Sequence, residues 1–406
     1  MVRPKRVLFF AEAVTLAHVA RPIALAQSLD RAAYECTIAC DTRYERFLQG
    51  GPFRHVPLGS ISSAQFLAAL ATGSPVYSLN TLRGYVREDL ALIERWQPDV
   101  VVGDFRLSLS ASARLARVPY VAISNAYWSP YYARPGFPMP VLPMTKVLPL
   151  PVAQTLFRLV SPWVMPGHSK ALNRLRTENG LSSLGPDLRR AYTDADLTLY
   201  ADDPALFALR DAPDNHRLMG PVLWEPAMPP PPWWGALPAD RPIVYVSLGS
   251  SGPKGLLKRV MRALSDLPVC VIASSAGAPV ETPRQGNAFV APYLPGTAAA
   301  ARSSLVICNG GSLTAYQALV AGVPLIGIAT NMDQFLNMEA VTAAGAGHTI
   351  RSDRMGIRKL QTCVDAITRD PEVLRQGQTL ARALTASNAG VAFERTLNSI
   401  FRPPPG

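Results

Sequence analysis

The sequence predicts an α/β protein made of two doubly wound parallel-sheet domains, and three observations carry that prediction. Short apolar runs alternate with segments of helical period along most of the chain, the pattern of successive βαβ units. The length of 406 residues is large for one core and suits two domains of roughly 200 residues each. Several apolar runs stop at glycine, serine or acidic residues, which collects polar groups at the C-terminal ends of strands, where open α/β sheets bind ligands.

Val7 to Ala11 reads as a buried strand, and Val19 to Leu29 has helical spacing with Pro22 tolerated in the first turn. Further strands are predicted over Tyr34 to Cys40, Asp99 to Gly103 and Pro119 to Ser124, separated by helices over 61–72, 78–95 and 108–117. Helices over 170–179 and 187–193 and a strand over 196–200 complete this half. Residues 127–168 break the rhythm, because Tyr127, Trp128, Tyr131, Tyr132, Phe137 and Trp163 lie among prolines. They read as an irregular apolar excursion from the first domain, and long loops on an α/β scaffold usually carry function.

The first domain is assigned to residues 1–218, and the proline-rich stretch 219–241, with Pro229 to Pro232, to an interdomain linker. The second domain, 242–385, opens with a strand running into Gly249-Ser250. Strands near 269–273 and 287–290 lead to Tyr293-Leu294-Pro295-Gly296, and helices over 356–369, 371–384 and 389–400 close the chain.

Composition narrows the function. A hydrophobic content of 48% with 17% charged residues describes a folded globular protein. The net charge is +11, but the arginines are scattered singly, without a basic helix or an aromatic-interleaved patch, which argues against nucleic acid as a partner. One stretch is distinctive: between Phe105 and Thr177 there is no acidic residue, while nine basic ones occur, an arrangement that suits peripheral contact with an anionic membrane. The five cysteines are odd in number and have no metal-ligand spacing, so buried thiols in a reducing compartment and no metal or cofactor are expected. No run approaches the ~20 apolar residues of a membrane span, and Glu12 and His18 interrupt the N-terminal apolar run, so a cytoplasmic protein is expected.

The most informative stretch is 305–337. Leu305 to Cys308 is a strand, Asn309-Gly310-Gly311 a tight turn, and Ser312 to Ala321 a helix ended by Gly322 and Pro324. A second apolar run, Val323 to Ala329, stops before Asp333 and Gln334. Glycines let backbone approach a ligand closely, and Ser312 and Thr314 place hydroxyls where a helix N-terminus favours phosphate. Asp333 and Gln334 add groups able to grip sugar hydroxyls, so the pair suggests a sugar joined to a diphosphate.

This stretch resembles the donor-binding motif of the GT-B glycosyltransferases of the UDP-glycosyltransferase type, close to the bacterial macrolide, antibiotic or lipid glycosyltransferases. Asn309, Gly310, Gly311, Thr314, Gly322-Val323-Pro324, Asp333, Gln334 and Asn337 fall on the pattern. Asn309 stands where the family usually has His, and Gln317 where it has Glu. The resemblance implies two Rossmann-like domains facing a cleft and a last helix, 386–406, returning to the first domain. It also implies phosphate contacts at Gly249, Ser250 and Asn309, a ribose contact at Gln317, and a base-stacking ring at Tyr293, with Gly296 in place of the family's Gln.

Sugar transfer needs a base for the acceptor hydroxyl. His18, after the first strand, and Asp104, ending the strand over 99–103, occupy the positions of the family's catalytic His and Asp. A carboxylate there could orient the imidazole. Glu12 is an alternative base nearby. The expected activity is inverting transfer from a nucleotide-diphosphate sugar of the UDP-sugar type to an apolar or amphipathic small-molecule or lipid acceptor. Contacts with that acceptor are assigned to Tyr127, Trp128, Tyr131 and Phe137. Rival readings are a UDP-sugar epimerase and a non-catalytic nucleotide-sugar-binding protein on the same fold.

Overall fold

The structure, a computed structural model, describes residues 3–134, 136–249, 253, 255–277 and 287–401. Contacts divide the chain into two compact units. One comprises Met1–Pro135, Thr155–Val222 and Ser387–Gly406, and the other Gly136–Gln154 and Leu223–Ala386.

In the first unit the chain runs β1 (Lys5–Ala11), α1 (Ala17–Ser28), β2 (Tyr34–Cys40), β3 (Arg54–Pro57), α2 (Ser63–Thr72), α3 (Leu79–Trp96), β4 (Val100–Asp104), α4 (Leu109–Ala116) and β5 (Tyr120–Ser124). After α5 (Leu150–Val164), of which residues 150–154 cluster with the second unit, come α6 (Lys170–Glu178), α7 (Leu188–Tyr192), β6 (Leu197–Tyr200) and β7 (His216–Leu218). The seven strands are all parallel, in the order β3-β2-β1-β4-β5-β6-β7. Strands covered on both faces should be continuous apolar runs, and Val7 to Ala11 and Val100 to Val102 are buried throughout. The C-terminal helix, Ala389–Phe401, packs on α1, with Phe393 against Phe9 at 5.9 Å and Tyr34 donating to Asn398 Oδ1 at 2.8 Å.

The second unit holds a six-stranded parallel sheet in the order β10-β9-β8-β11-β12-β13. Its elements are β8 (Ile243–Ser247), α8 (Leu256–Leu264), β9 (Cys270–Ser274), β10 (Ala288–Ala291), α9 (Gly296–Ala301) and β11 (Leu305–Cys308). They continue with α10 (Ser312–Val320), β12 (Leu325–Ala329), α11 (Met332–Ala343), β13 (Gly347–Arg351), α12 (Ile357–Arg369) and α13 (Pro371–Ala386). Strand order reverses between β1 and β4 in one sheet and between β8 and β11 in the other, and each reversal opens a crevice at the strand C-termini.

Two expectations need correction. Residues 127–168 are not a single excursion from the first unit, because 136–154 cluster with the second. The reason is hydrogen bonding within that unit: Arg351 donates to the carbonyls of Met139 at 2.7 Å and Pro140 at 3.2 Å, and Val141 N–H donates to Thr330 O at 2.8 Å. Nor is the stretch irregular throughout, since it contains the fifteen-residue helix α5. Pro151 sits in its first turn, where no amide is needed, and Pro162 near its end. All five cysteines are free, and among the described residues no helix is long and apolar enough to cross a membrane.

Candidate functional site

At the switch point of the first sheet, Ala11 of β1 pairs in register with Asp104 of β4, and Glu12 N–H donates to Asp104 O at 3.1 Å. The chain after β1 turns into α1, whose first turn has no side-chain cap and carries His18. Its Nδ1 lies 2.7 Å from Asp104 Oδ1. The imidazole is stacked on the Phe105 ring, with centroids 4.8 Å apart and planes at 14°. The side chain of His18 remains 19% exposed, while that of Asp104 is fully buried.

Arg21, one turn along α1 from His18, grips Asp104 with both edges of its fork: Nε donates to Oδ2 and Nη2 to Oδ1, each at 2.7 Å. Burial works against the Arg21 charge, and the neighbouring Asp104 carboxylate more than offsets it, so its pKa lies above the ordinary value. Nη1 reaches Asn125 Oδ1 at 2.7 Å, and Asn125 Nδ2 donates on to Asp202. Arg21 Nη2 also lies 3.0 Å from His18 Nδ1. Because Nη2 donates to Oδ1, the consistent assignment has Nδ1–H donating to Asp104, which leaves Nε2 as the proton acceptor.

Phe105 has φ +58°, a left-handed conformation unusual for a bulky residue. It turns the chain sharply after Asp104 and brings the ring beneath the imidazole, and such outliers cluster at functional sites. Arg21, Phe105 and Asn125 escaped the sequence reading. The spacing of three from His18 on one helix face could have marked Arg21, whereas nothing local marks Phe105.

Glu12 is not a base. It is fully buried, accepts from Tyr85 OH at 2.8 Å, and meets Arg106 Nη1 at 3.0 Å. Burial raises its pKa against the pull of Arg106 and Tyr85. Arg106, itself buried, also pairs with Asp89 at 2.9 Å and donates to Gly59 O at 2.6 Å. This cluster ties α3, β1 and the start of α4 together; it is structural.

In the second sheet Ser247 of β8 pairs in register with Cys308 of β11, so the turns after both strands lie side by side. Gly249 (φ +62°) is on the first turn; Ser250 lies outside the described residues. On the second, Gly310 has φ +83°, and a Cβ there would stand 2.8 Å from Met338 Cγ. Asn309 Oδ1 accepts from Gly311 N–H at 3.0 Å, and Asn337 Nδ2 donates to Gly310 O at 2.9 Å. Both amides therefore shape the turn. No side chain caps α10, and Ser312 and Thr314 are half-exposed in its first turn, so the amides of that turn are left for an anion.

Gln317 is buried, and its Nε2 donates to Trp224 O at 3.0 Å. A Cβ on Gly296 would stand 2.5 Å from Gln317 Oε1, so the departures at 296 and 317 are one packing arrangement in which a glycine makes room for the amide. Tyr293 is half-exposed beside Gly277. Asp333 is half-exposed in the first turn of α11. Gln334 is buried, and its Oε1 accepts from Thr330 and Asn331 N–H at 2.8 and 3.3 Å in a capping box with Asn331. Its carbonyl oxygen thus closes the helix start.

Among the acceptor candidates, Tyr127 is a correction: it is fully buried against Phe207 at 5.6 Å and belongs to the core. Trp128 packs on Tyr192 at 4.9 Å and Tyr131 on His216 at 4.9 Å, both half-exposed in the first unit, while Phe137 belongs to the second.

Comparisons with known proteins show the family. Residues 259–391 match the family model for the erythromycin biosynthesis protein CIII-like C-terminal domain. A PGL/p-HBAD biosynthesis rhamnosyltransferase of Mycobacterium bovis is 51% identical over 96% of this chain and 86% of its own length. A protein of the same species named an inactive PGL/p-HBAD biosynthesis glycosyltransferase is 50% identical over 65% of this chain and 72% of its own length. Among solved structures, the spinosyn rhamnosyltransferase SpnG superposes with a TM-score of 0.71 at 19% identity, covering 97% of this chain and all of that one. SpnG has also been solved with thymidine diphosphate and with spinosyn aglycone.

Proposed function

The chain belongs to the bacterial GT-B glycosyltransferases, and from that premise we propose that it moves a deoxyhexose of the rhamnose type from a nucleoside-diphosphate donor to a hydroxyl of an apolar or amphipathic acceptor. The observation that carries the reading is the His18–Asp104 pair at 2.7 Å with the imidazole's other nitrogen unclaimed by it.

Nδ1–H is held by Asp104, so Nε2 takes the acceptor's proton as its oxygen attacks the anomeric carbon. That carbon's bond to the diphosphate breaks, and the leaving group departs with the electron pair. Attack opposite the leaving group inverts the anomeric centre. Asp104 stabilises the imidazolium, and Arg21 holds Asp104 in place. The uncapped first turn of α10, with Ser312 and Thr314, stabilises the departing diphosphate. Asp333 is assigned to the sugar and Tyr293 to the base. SpnG's thymidine diphosphate complex supports a thymidine rather than a uridine nucleotide.

The test is direct. Asp333→Ala is expected to weaken the sugar nucleotide roughly tenfold while leaving thymidine diphosphate within about twofold, read by calorimetry. Equal losses for both would remove the sugar contact. A purely nucleotide-sugar-binding role, made concrete by the inactive relative, would show donor binding with no turnover against any acceptor.

A further inference from the structure

Beyond sugar transfer, we propose that the outward face of α5 is a docking surface for an anionic lipid bilayer. Leu156, Leu159, Val160 and Trp163 recur at i, i+3, i+4 and i+7, which places them on one stripe of the helix. They are 42, 67, 43 and 86% exposed. Val152 and Val164 on the same helix and Val147 just before it are exposed as well, while the other large exposed apolar side chains are scattered singly over the described residues, so α5 is the exception that calls for a partner.

Charge chooses the partner. Arg158 lies two residues from Leu156, on the opposite side of the helix, and Lys170 is exposed just beyond; neither has an ion pair among the described residues. No carboxylate occurs between Phe105 and Thr177 to oppose an anionic surface. An apolar stripe with an exposed tryptophan, a cation on the helix's other side and a second cation just beyond its end suit a helix that lies in a membrane interface, its tryptophan at headgroup level. A second copy of this chain fits less well. A two-fold contact would bury the stripe against its own copy but supply no acid for Arg158 and Lys170, since none occurs between Phe105 and Thr177, whereas an anionic bilayer supplies both an apolar layer and negative charge.

The test uses the full chain and vesicles of phosphatidylcholine with or without phosphatidylglycerol, read by co-sedimentation. The wild type should bind the anionic vesicles, weakening as salt rises. Leu159→Ser with Trp163→Ser, and separately Arg158→Glu with Lys170→Glu, should each bind roughly tenfold more weakly. Because these side chains are exposed, thermal midpoints and thymidine diphosphate binding should stay unchanged, which separates loss of docking from loss of the fold or the donor site. Absence of wild-type binding, or equal binding by the variants, overturns the proposal. So does a Leu159/Trp163 variant that converts a dimer to a monomer in light scattering without altering vesicle binding.

Discussion

His18 is held by three contacts of different kinds: a hydrogen bond to Asp104, a stacked ring at Phe105, and the fork of Arg21 that fixes the carboxylate. Asp104 is buried and shared between a histidine and an arginine, so its geometry depends on both. Arg21→Lys keeps the charge but loses the fork, and it should lower kcat about tenfold with donor KM unchanged, measured by steady-state kinetics. A second residue-scale prediction concerns Gly296 and Gln317. Gly296→Ala should destabilise the protein by about 1–3 kcal/mol, because its Cβ would meet Gln317 Oε1 at 2.5 Å. Adding Gln317→Ala should recover part of that loss in denaturant unfolding, a coupling that independent sites would not show. The candidate pair His18 and Asp104 was picked out through the family resemblance, His18 after β1 and Asp104 at the end of β4. Arg21 and Phe105 were not, because their roles exist only once β1 and β4 lie side by side.

At the scale of elements, the strands covered on both faces were readable as apolar runs, while β3 and β7, short strands at the sheet edges containing Arg54-His55 and His216-Arg217, were not. Edge strands are half-solvated and lose the apolar signature. Helix α5 was hidden by its prolines, whose positions near the two ends are compatible with a helix. Gln334 shows how a motif residue can serve the element that carries it. Asn331→Ala, which removes the other half of the capping box, should cost about 1 kcal/mol of stability and loosen the start of α11, seen as faster amide exchange at Met332 to Gln334.

For the whole molecule, the two sheets share one design: each reverses strand order at the point where its candidate residues emerge, His18 and Asp104 in one, Gly249 and Asn309 in the other. Alternating periodicity made that doubled architecture legible. The allegiance of 136–154 was invisible, since it rests on Arg351, about 200 positions away, finding two backbone carbonyls. The first unit's coherence rests in part on Arg106, and Arg106→Met should destabilise it by about 3–5 kcal/mol, since Glu12 and Asp89 would be left buried without their cation. The central claim, transfer with His18 as base, is tested by giving wild type and His18→Ala a thymidine-diphosphate rhamnose donor with a panel of phenolic and aliphatic alcohols, and following the gain of one deoxyhexose by mass spectrometry. Wild type should glycosylate an acceptor, and His18→Ala should be slower by roughly 10²- to 10⁴-fold while binding thymidine diphosphate as tightly; equal turnover by the two proteins would contradict it.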